Sequence, residues 1–181
     1  MASIFAHGLT AFAFSKSFKN DLYSIKLWSL GVICAILPDV DVLGFKFGIA
    51  YGDFWGHRGF THSLLFACIL SLLICFLFYR KKMKAYQGVF LFIYFFSCTA
   101  SHGVLDAMTT GGLGIAFLSP FDTTRYFFPF RPIQVSPIGA SRFFSQWGLK
   151  VILSELIWVG IPALGYIMIT YLVHNSFKSK N

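Results

Sequence analysis

Five apolar segments of helical character, parted by polar or Gly/Pro-containing breaks, dominate this chain of 181 residues. The first, about Ser3 to Phe14, is short and carries His7. The second, about Leu22 to Leu37, is expected to stop at Pro38, because proline cannot continue the helical hydrogen-bond ladder. The third, Phe60 to Tyr79, has the roughly 20 residues a bilayer crossing needs and ends at the basic cluster Arg80, Lys81, Lys82 and Lys84. The fourth, Tyr86 to about Met108, ends in Thr109-Thr110-Gly111-Gly112, a glycine stop for a helix. The fifth, Gly148 to Val173, contains Pro162 and is expected to kink there. An aromatic, proline-rich loop from Leu113 to Trp147 separates the last two and suits a membrane interface.

Composition turns these segments into membrane helices. The chain is 56% hydrophobic and only 12% charged, about half the charged share of a soluble domain. Disorder is excluded by the apolar content. Cys34, Cys68, Cys75 and Cys98 sit in apolar runs without a C-x-x-C pair, so they read as buried thiols rather than a disulfide framework. The segment 2–14 has no basic region before it and no A-x-A-like exit, so it reads as a retained helix, not a signal peptide. The expected architecture is a single all-α domain over 1–181: a polytopic bundle of four spanning helices plus a short N-terminal membrane helix.

The net charge of +8 comes from short clusters beside apolar runs, which marks topology rather than a nucleic-acid surface. Lys16, Lys19, Lys26, Arg80, Lys81, Lys82, Lys84, Lys178 and Lys180 fall on one side. Asp39, Asp41, Asp53, Asp106 and Asp122 fall on the other, with the remaining basic residues spread over longer loops. The positive-inside tendency makes the first side cytoplasmic.

On this map four of the five histidines converge with three acids at the outer end. His102 and Asp106 are four apart on a helix and share a face. Asp39 and Asp41 are two apart beyond Pro38; in an extended stretch both point one way. His57 and His62 flank Gly59, with Thr61 as the expected N-cap of the third helix. His7 approaches the same level. Scattered polar residues can satisfy one another inside a bundle, but each Asp at a helix centre costs about 2.5–3.5 kcal/mol and grouped carboxylates also repel. A divalent cation removes both penalties, and imidazole with carboxylate is a ligand set for zinc, manganese or iron. Seven candidate ligands exceed one tetrahedral ion, so either two ions bind or some residues orient the ligands.

A His/Asp set with spare positions is of catalytic type, suited to metal-activated water attacking an ester or phosphoester. Arg58 is a candidate cation for an anionic group; Arg125 and Arg131 read as readily as interfacial snorkelling residues, and the turn Thr109 to Gly114 offers backbone N–H groups but reads first as a helix stop. Glu155 needs a buried partner, either near the site or in a pair with Lys150 or an arginine; His174 reads as interfacial.

His7 in a short N-terminal helix, L-P-D-V-D, G-H-R-G-F-T-H-S, H-G-V-L-D-A-M-T-T-G-G and S-P-F-D-T-T-R-Y-F-F-P-F-R-P-I together resemble the YdjM-like family of membrane-bound metal-dependent hydrolases. That family is also labelled LexA-binding and inner-membrane-associated. The resemblance spans nearly the whole chain and implies His7, Asp39, Asp41, His57, His62, His102 and Asp106 as the site. Many relatives follow P-D-x-D with His; Val42 stands there instead, so that ligand is missing. The family looks distantly similar to zinc-dependent phospholipase C and single-strand nucleases, which favours a phosphoester substrate.

The expected function is therefore a metal-dependent hydrolase of the bacterial inner membrane. Its expected substrate is a membrane lipid or other small phosphoester, with one of Asp39 and Asp41 as base and the other as ligand. A non-catalytic metal-binding or ion-translocating protein is the alternative. Translocation wants ionisable residues through the full depth, whereas Leu70 to Phe78 and Val89 to Phe96 are almost wholly apolar. A nuclease would want an exposed basic groove, which the sequence lacks.

Overall fold

A computed structural model describes residues 1–19, 22–83 and 86–178. It is all-helical, with no strand among the described residues. Helix α1 spans Ile4–Ser15 and α2 Ile25–Ile36; α3 covers Leu64–Tyr79 and α4 Tyr86–Ala107. The one-turn α5 is Ala140–Phe143, followed by α6, Gln146–Glu155, and α7, Ile161–Lys178. Serine side chains cap four N-termini: Ser3, Ser24, Ser63 and Ser145 each accept a backbone N–H of α1, α2, α3 and α6 in turn.

Four stretches are long and apolar enough to cross a bilayer: Ile25–Phe47, Leu64–Lys82, Tyr86–Ala107 and Gln146–Ser176. Helix α4 lies at the centre, packed on α1, α2 and α3. Its buried positions Gly88, Leu91, Phe95, Cys98, His102 and Asp106 recur every three or four residues, which is one helical face. The first part of that face meets Leu27, Cys34, Leu70, Ile74 and Cys75 in the apolar core. Its last two turns carry the His and Asp. The membrane reading accounts for the many exposed apolar side chains, among them Leu72, Leu73 and Phe76 on α3 and Leu164, Met168 and Ile169 on α7.

Three local expectations change. Pro38 does end α2, but the chain does not extend; it continues as a 3-10 helix, Leu37–Phe47, until Gly48 closes it at φ 79°. Proline is tolerated there because it sits in the first turn, where no N–H is needed. Thr61 does not cap α3; Ser63 does, accepting from Phe66 N at 3.0 Å. The fifth segment is interrupted by a π-helical turn, Leu156–Gly160, immediately before Pro162. The extra residue of that turn lies where the ring and the missing N–H of Pro162 disturb the helical hydrogen-bond ladder. Lys84 and Lys180, used above to orient the chain, lie outside the described residues.

The stretch 113–139 folds back over the helix ends near Leu64 and Ala107. Leu64 N donates to Phe117 O at 3.0 Å, Ala116 N to Arg58 O at 3.2 Å and Phe128 N to Ala107 O at 3.1 Å. Arg125 completes this closure by donating to the carbonyls of His57, Tyr51 and Asp53 at 2.9, 3.0 and 3.2 Å. It is thus spent on the loops. Arg131 lies over the Phe127 ring, 4.7 Å from its centroid.

Candidate metal centre

Every one of the seven sequence-predicted residues reaches the same end of the bundle, away from the basic turn Arg80–Lys82. His102 and Asp106 come from the last turns of α4, and His7 from the second turn of α1. Asp39 and Asp41 come from the 3-10 stretch after α2, His57 from a loop, and His62 from the 3-10 turn Phe60–His62. Gly103 lets that turn approach α4, since a Cβ there would stand 3.1 Å from His62 O.

The structure sorts these residues into two groups that meet at His62. On one side, His62 Nε2 and His102 Nε2 face each other at 3.0 Å. Asp39 Oδ1 lies 3.3 Å from His102 Nε2 and 3.7 Å from His62 Nε2, and Asp106 Oδ2 lies 3.9 Å from each. On the other side, Asp41 Oδ1 accepts from His57 Nδ1 at 2.7 Å, while Asp41 Oδ2 lies 3.2 Å from His62 Nδ1. Asp41 also accepts from Thr61 Oγ1 at 2.7 Å and from Arg58 N at 3.2 Å. Asp39 and Asp41 do not point one way, because the turn is 3-10 rather than extended; they address opposite nitrogens of one ring.

The ring tautomers follow from these partners. His102 Nδ1 stands 2.7 Å from the carbonyl of Ala35, which can only accept, so Nδ1 carries the proton and Nε2 presents a lone pair to the cluster. His62 Nδ1 meets the Asp41 carboxylate, so its Nε2 is likewise the inward atom. Metal-ligating histidines are held in this way, the second N–H given to a carbonyl or carboxylate. Two imidazoles and two carboxylates this close, with ligand atoms all within 4.8 Å of one another, fit a single ion with bonds of about 2 Å.

Unpaired polar atoms support the same fit. Among the described residues, the buried side-chain atoms without a hydrogen bond are His7 Nδ1 and Nε2, Asp39 Oδ1, Arg58 Nε, Asp106 Oδ2 and Tyr79 Oη. Of these, Asp39 Oδ1 and Asp106 Oδ2 are acceptors that face the two inward Nε2 atoms and call for a proton or an ion between them; Arg58 Nε lies 3.2 Å from Asp106 Oδ2. His7 stacks on His102 with ring centroids 3.8 Å apart, and its Nε2 is 3.5 Å from Asp106 Oδ1.

The electrostatics of the cluster favour positive charge. Burial pulls the pKa of His62 down, but the carboxylates of Asp39, Asp41 and Asp106 outweigh it and raise the value to about 9. Without an ion, a proton on Nε2 stands in its place. His57 moves the other way: burial lowers its pKa, and Asp41 only partly offsets that.

Arg58, expected as a cation for an anionic group, is fully buried and committed to the protein. Its Nε lies 3.2 Å from Asp106 Oδ2, Nη1 donates to Gly111 O at 2.7 Å and Nη2 to Thr109 Oγ1 at 2.9 Å. Its backbone is left-handed, φ 67°, a conformation non-glycine residues adopt mainly where the surroundings enforce it. Gly112, at φ 97°, lies against this guanidinium, and a Cβ there would stand 2.3 Å from Nη1. The Thr109–Gly114 turn thus offers the site a carbonyl, and Thr110 N is used on Ile133 O.

Three contributors were not singled out from sequence. Thr61 holds Asp41, and the Ala35 carbonyl fixes His102. The N-terminal segment also joins in: Ala2 N donates to Asp106 Oδ1, and Ser3 donates N–H and Oγ–H to Glu155. Glu155 therefore pairs with Ser3, not with Lys150 or an arginine. A Thr beside His62 was a readable signal; backbone groups left none.

Comparison with known proteins agrees with this picture. The family described as "YdjM inner membrane protein" matches residues 1–178. The chain belongs to the YdjM family. Inner membrane protein YbcI of Escherichia coli (strain K12) is 39% identical over 164 residues, covering 91% of this chain and 94% of the relative. The uncharacterized protein YvsG of Bacillus subtilis (strain 168) is 33% identical over 96 residues, covering 49% of this chain and 55% of its own. No solved structure matches. This YdjM-family chain is thus a membrane protein with a His/Asp cluster able to hold a metal ion.

Proposed function

We propose that the protein is a metal-dependent hydrolase of the bacterial inner membrane that cleaves a phosphoester of phospholipid type at the outer interface. The observation that carries this reading is the pair of inward Nε2 atoms, 3.0 Å apart and facing two carboxylates. His62, His102, Asp39 and Asp106 would hold one divalent ion, with zinc favoured by the donor set. When bound, such an ion supplies Lewis acidity and brings the pKa of water near neutrality. The second group, Asp41 with His57 and His62, already satisfies its own hydrogen bonds and needs no ion.

Asp41 is saturated by four donors and acts as a positioning residue for both rings. Among the four ligands Asp39 is the one open to the outside: its side chain is 11% exposed while those of His62, His102 and Asp106 are sealed. Arg58 orients Asp106.

The substrate class rests on a groove that reaches Asp41, the carboxylate at the far nitrogen of the ligand His62. A cavity of about 380 Å³ is walled by Leu37, Val40, Ile49, Trp55 and Phe66, with Asp41 and Thr61 at its polar end. An apolar wall leading to buried carboxylates suits an acyl chain with its headgroup at the site. Among the described residues the buried core below the cluster, with Leu70, Ile74, Leu91 and Phe95, holds no acid, histidine, lysine or arginine, which argues against translocation.

The test is headgroup or phosphate release from lipid phosphoesters in mixed micelles. Release should require metal, stop with chelator and return with zinc. Asp39→Asn removes a ligand and should lose metal and turnover together. No metal-dependent turnover across lipid, nucleotide and carboxylic esters would replace this reading with a metal-binding or translocating role.

A further inference from the structure

Gly44 lies inside the 3-10 stretch Leu37–Phe47, a place where glycine is less favourable than alanine. Its backbone does not demand glycine: positive φ occurs at Gly48, Gly112, Gly114 and Gly139 instead. What the missing side chain leaves is room. A Cβ on Gly44 would stand 3.2 Å from Ile49 Cδ1 and 3.4 Å from Ile49 Cβ. Ile49 is held there, because left-handed Gly48 turns the chain back and Ile49 N donates to Gly44 O at 3.0 Å. Both residues line the groove of about 380 Å³ that ends at Asp41 and Thr61. A larger side chain at position 44 would therefore displace Ile49 or extend into the groove.

The groove is continuous with the lipid-facing surface. Leu37 and Val40 belong to the spanning stretch Ile25–Phe47, and Phe66 to Leu64–Lys82. The other wall, Ile49 and Trp55, comes from the connection between those stretches. That wall is braced by aromatic edges: the Trp55 and Phe60 rings lie 5.4 Å apart between centroids, and those of Phe60 and Phe66 lie 5.9 Å apart. Val40 and Trp55 stay open, at 50% and 57% exposure. Ile49 and Trp55 stand past the ends of the spanning stretches, where headgroups and water replace hydrocarbon. An acyl chain drawn up along Leu37 and Phe66 would cover apolar surface that water otherwise meets.

We infer that one acyl chain of the lipid substrate enters sideways between the spanning stretches Ile25–Phe47 and Leu64–Lys82, and that Gly44 sets how much bulk the groove accepts. The inference rests on the lipid substrate proposed above and adds to it a route and a specificity-determining residue. The polar end of the groove adjoins the cluster, since Asp41 Oδ2 lies 3.2 Å from His62 Nδ1. A chain lying along the apolar walls thus leaves the headgroup end of the same lipid beside the histidines.

Occupancy of the groove is read without turnover. Full-length protein in nanodiscs of phosphatidylethanolamine and phosphatidylglycerol, with chelator present, receives a trace of phosphatidylethanolamine that carries a photoactivatable diazirine on one palmitoyl chain. Labelled residues are then identified by mass spectrometry. Val40, Ile49 and Trp55 should take about fourfold more label than Leu73 and Met168, exposed apolar residues of other spanning helices; that ratio is the worth of one buried methylene. Gly44→Leu should bring Ile49 and Trp55 down to the level of Leu73, whereas Gly44→Ala should keep most of their label. Equal labelling of Trp55 and Leu73 in the wild type would overturn the inference, whether or not Gly44→Leu folds. A Gly44→Leu protein with a lower melting temperature and the wild-type label pattern would also overturn it, by showing that Gly44 serves packing against Ile49 alone. The expected pattern in a protein without hydrolytic turnover would support the groove and remove the hydrolase; turnover without the pattern would do the reverse.

Discussion

His62 and His102 turn their Nε2 atoms toward each other at 3.0 Å, each ring fixed by an acceptor at its far nitrogen, Asp41 for one and the Ala35 carbonyl for the other. Two lone pairs cannot face each other so closely unless a proton or an ion lies between them. The pH dependence of metal binding follows from that competition.

The His62 pKa of about 9 lies above the ordinary histidine value of about 6.5. In the metal-free protein the ring therefore keeps its proton between those values, and an ion must displace it. Metal affinity should rise up to about tenfold per pH unit through this window and level off above pH 9, with one proton released per ion. In the metal-free protein the proton on His62 stabilises the fold fully below about pH 6.5 and that contribution is lost as pH rises through 9. Calorimetry in buffers of different ionisation enthalpy measures the released proton; zero release between pH 7 and 8 would contradict the assignment.

Asp41 acts through the rings it holds. Asp41→Asn and Thr61→Val should lower metal affinity, Asp41→Asn by about 10–100-fold and Thr61→Val by less, since loss of an outer partner loosens a ligand without removing it. Zinc titration against a competing chelator reads both.

The sequence made the five segments legible because bilayer-length apolar runs admit few alternatives. It also made the gathering of seven polar residues legible, since alternate ends of successive helices return to one level. The division of labour inside the group was not legible. Whether Asp41 ligates or orients depends on the 3-10 turn after Pro38 and on Thr61 donating to it rather than capping a helix. Arg58 looked available for a substrate because nothing local shows that Asp106, Thr109 and the Gly111 carbonyl surround it once the chain is folded.

Arg58 is the buried counter-charge of Asp106. Arg58→Met should destabilise the protein by about 3–5 kcal/mol, because it strands a buried carboxylate. Arg58→Lys should recover only part, as an ammonium cannot span the three partners. Thermal unfolding in detergent compares them; an Arg58→Met variant as stable as wild type would contradict this role.

Glu155 ties the last membrane segment to the start of α1 through both donors of Ser3. Glu155→Gln keeps an acceptor and should cost little, whereas Glu155→Leu leaves two buried donors unmet, at about 1–3 kcal/mol each. The Asp106–Ala2 contact lies next to this tie, so Glu155→Leu should also lower metal retention and Glu155→Gln should not. Equal melting temperatures for the two variants would show that the tie carries no stability.

The central claim is the ion at the facing histidines, and elemental analysis of protein purified without chelator tests it most directly. Wild type should retain about one divalent ion per chain, His102→Ala and Asp106→Ala should each lose most of it, and Lys46→Gln should keep it. Metal content near zero in the wild type after zinc loading, or content unchanged in both His102→Ala and Asp106→Ala, would contradict the account.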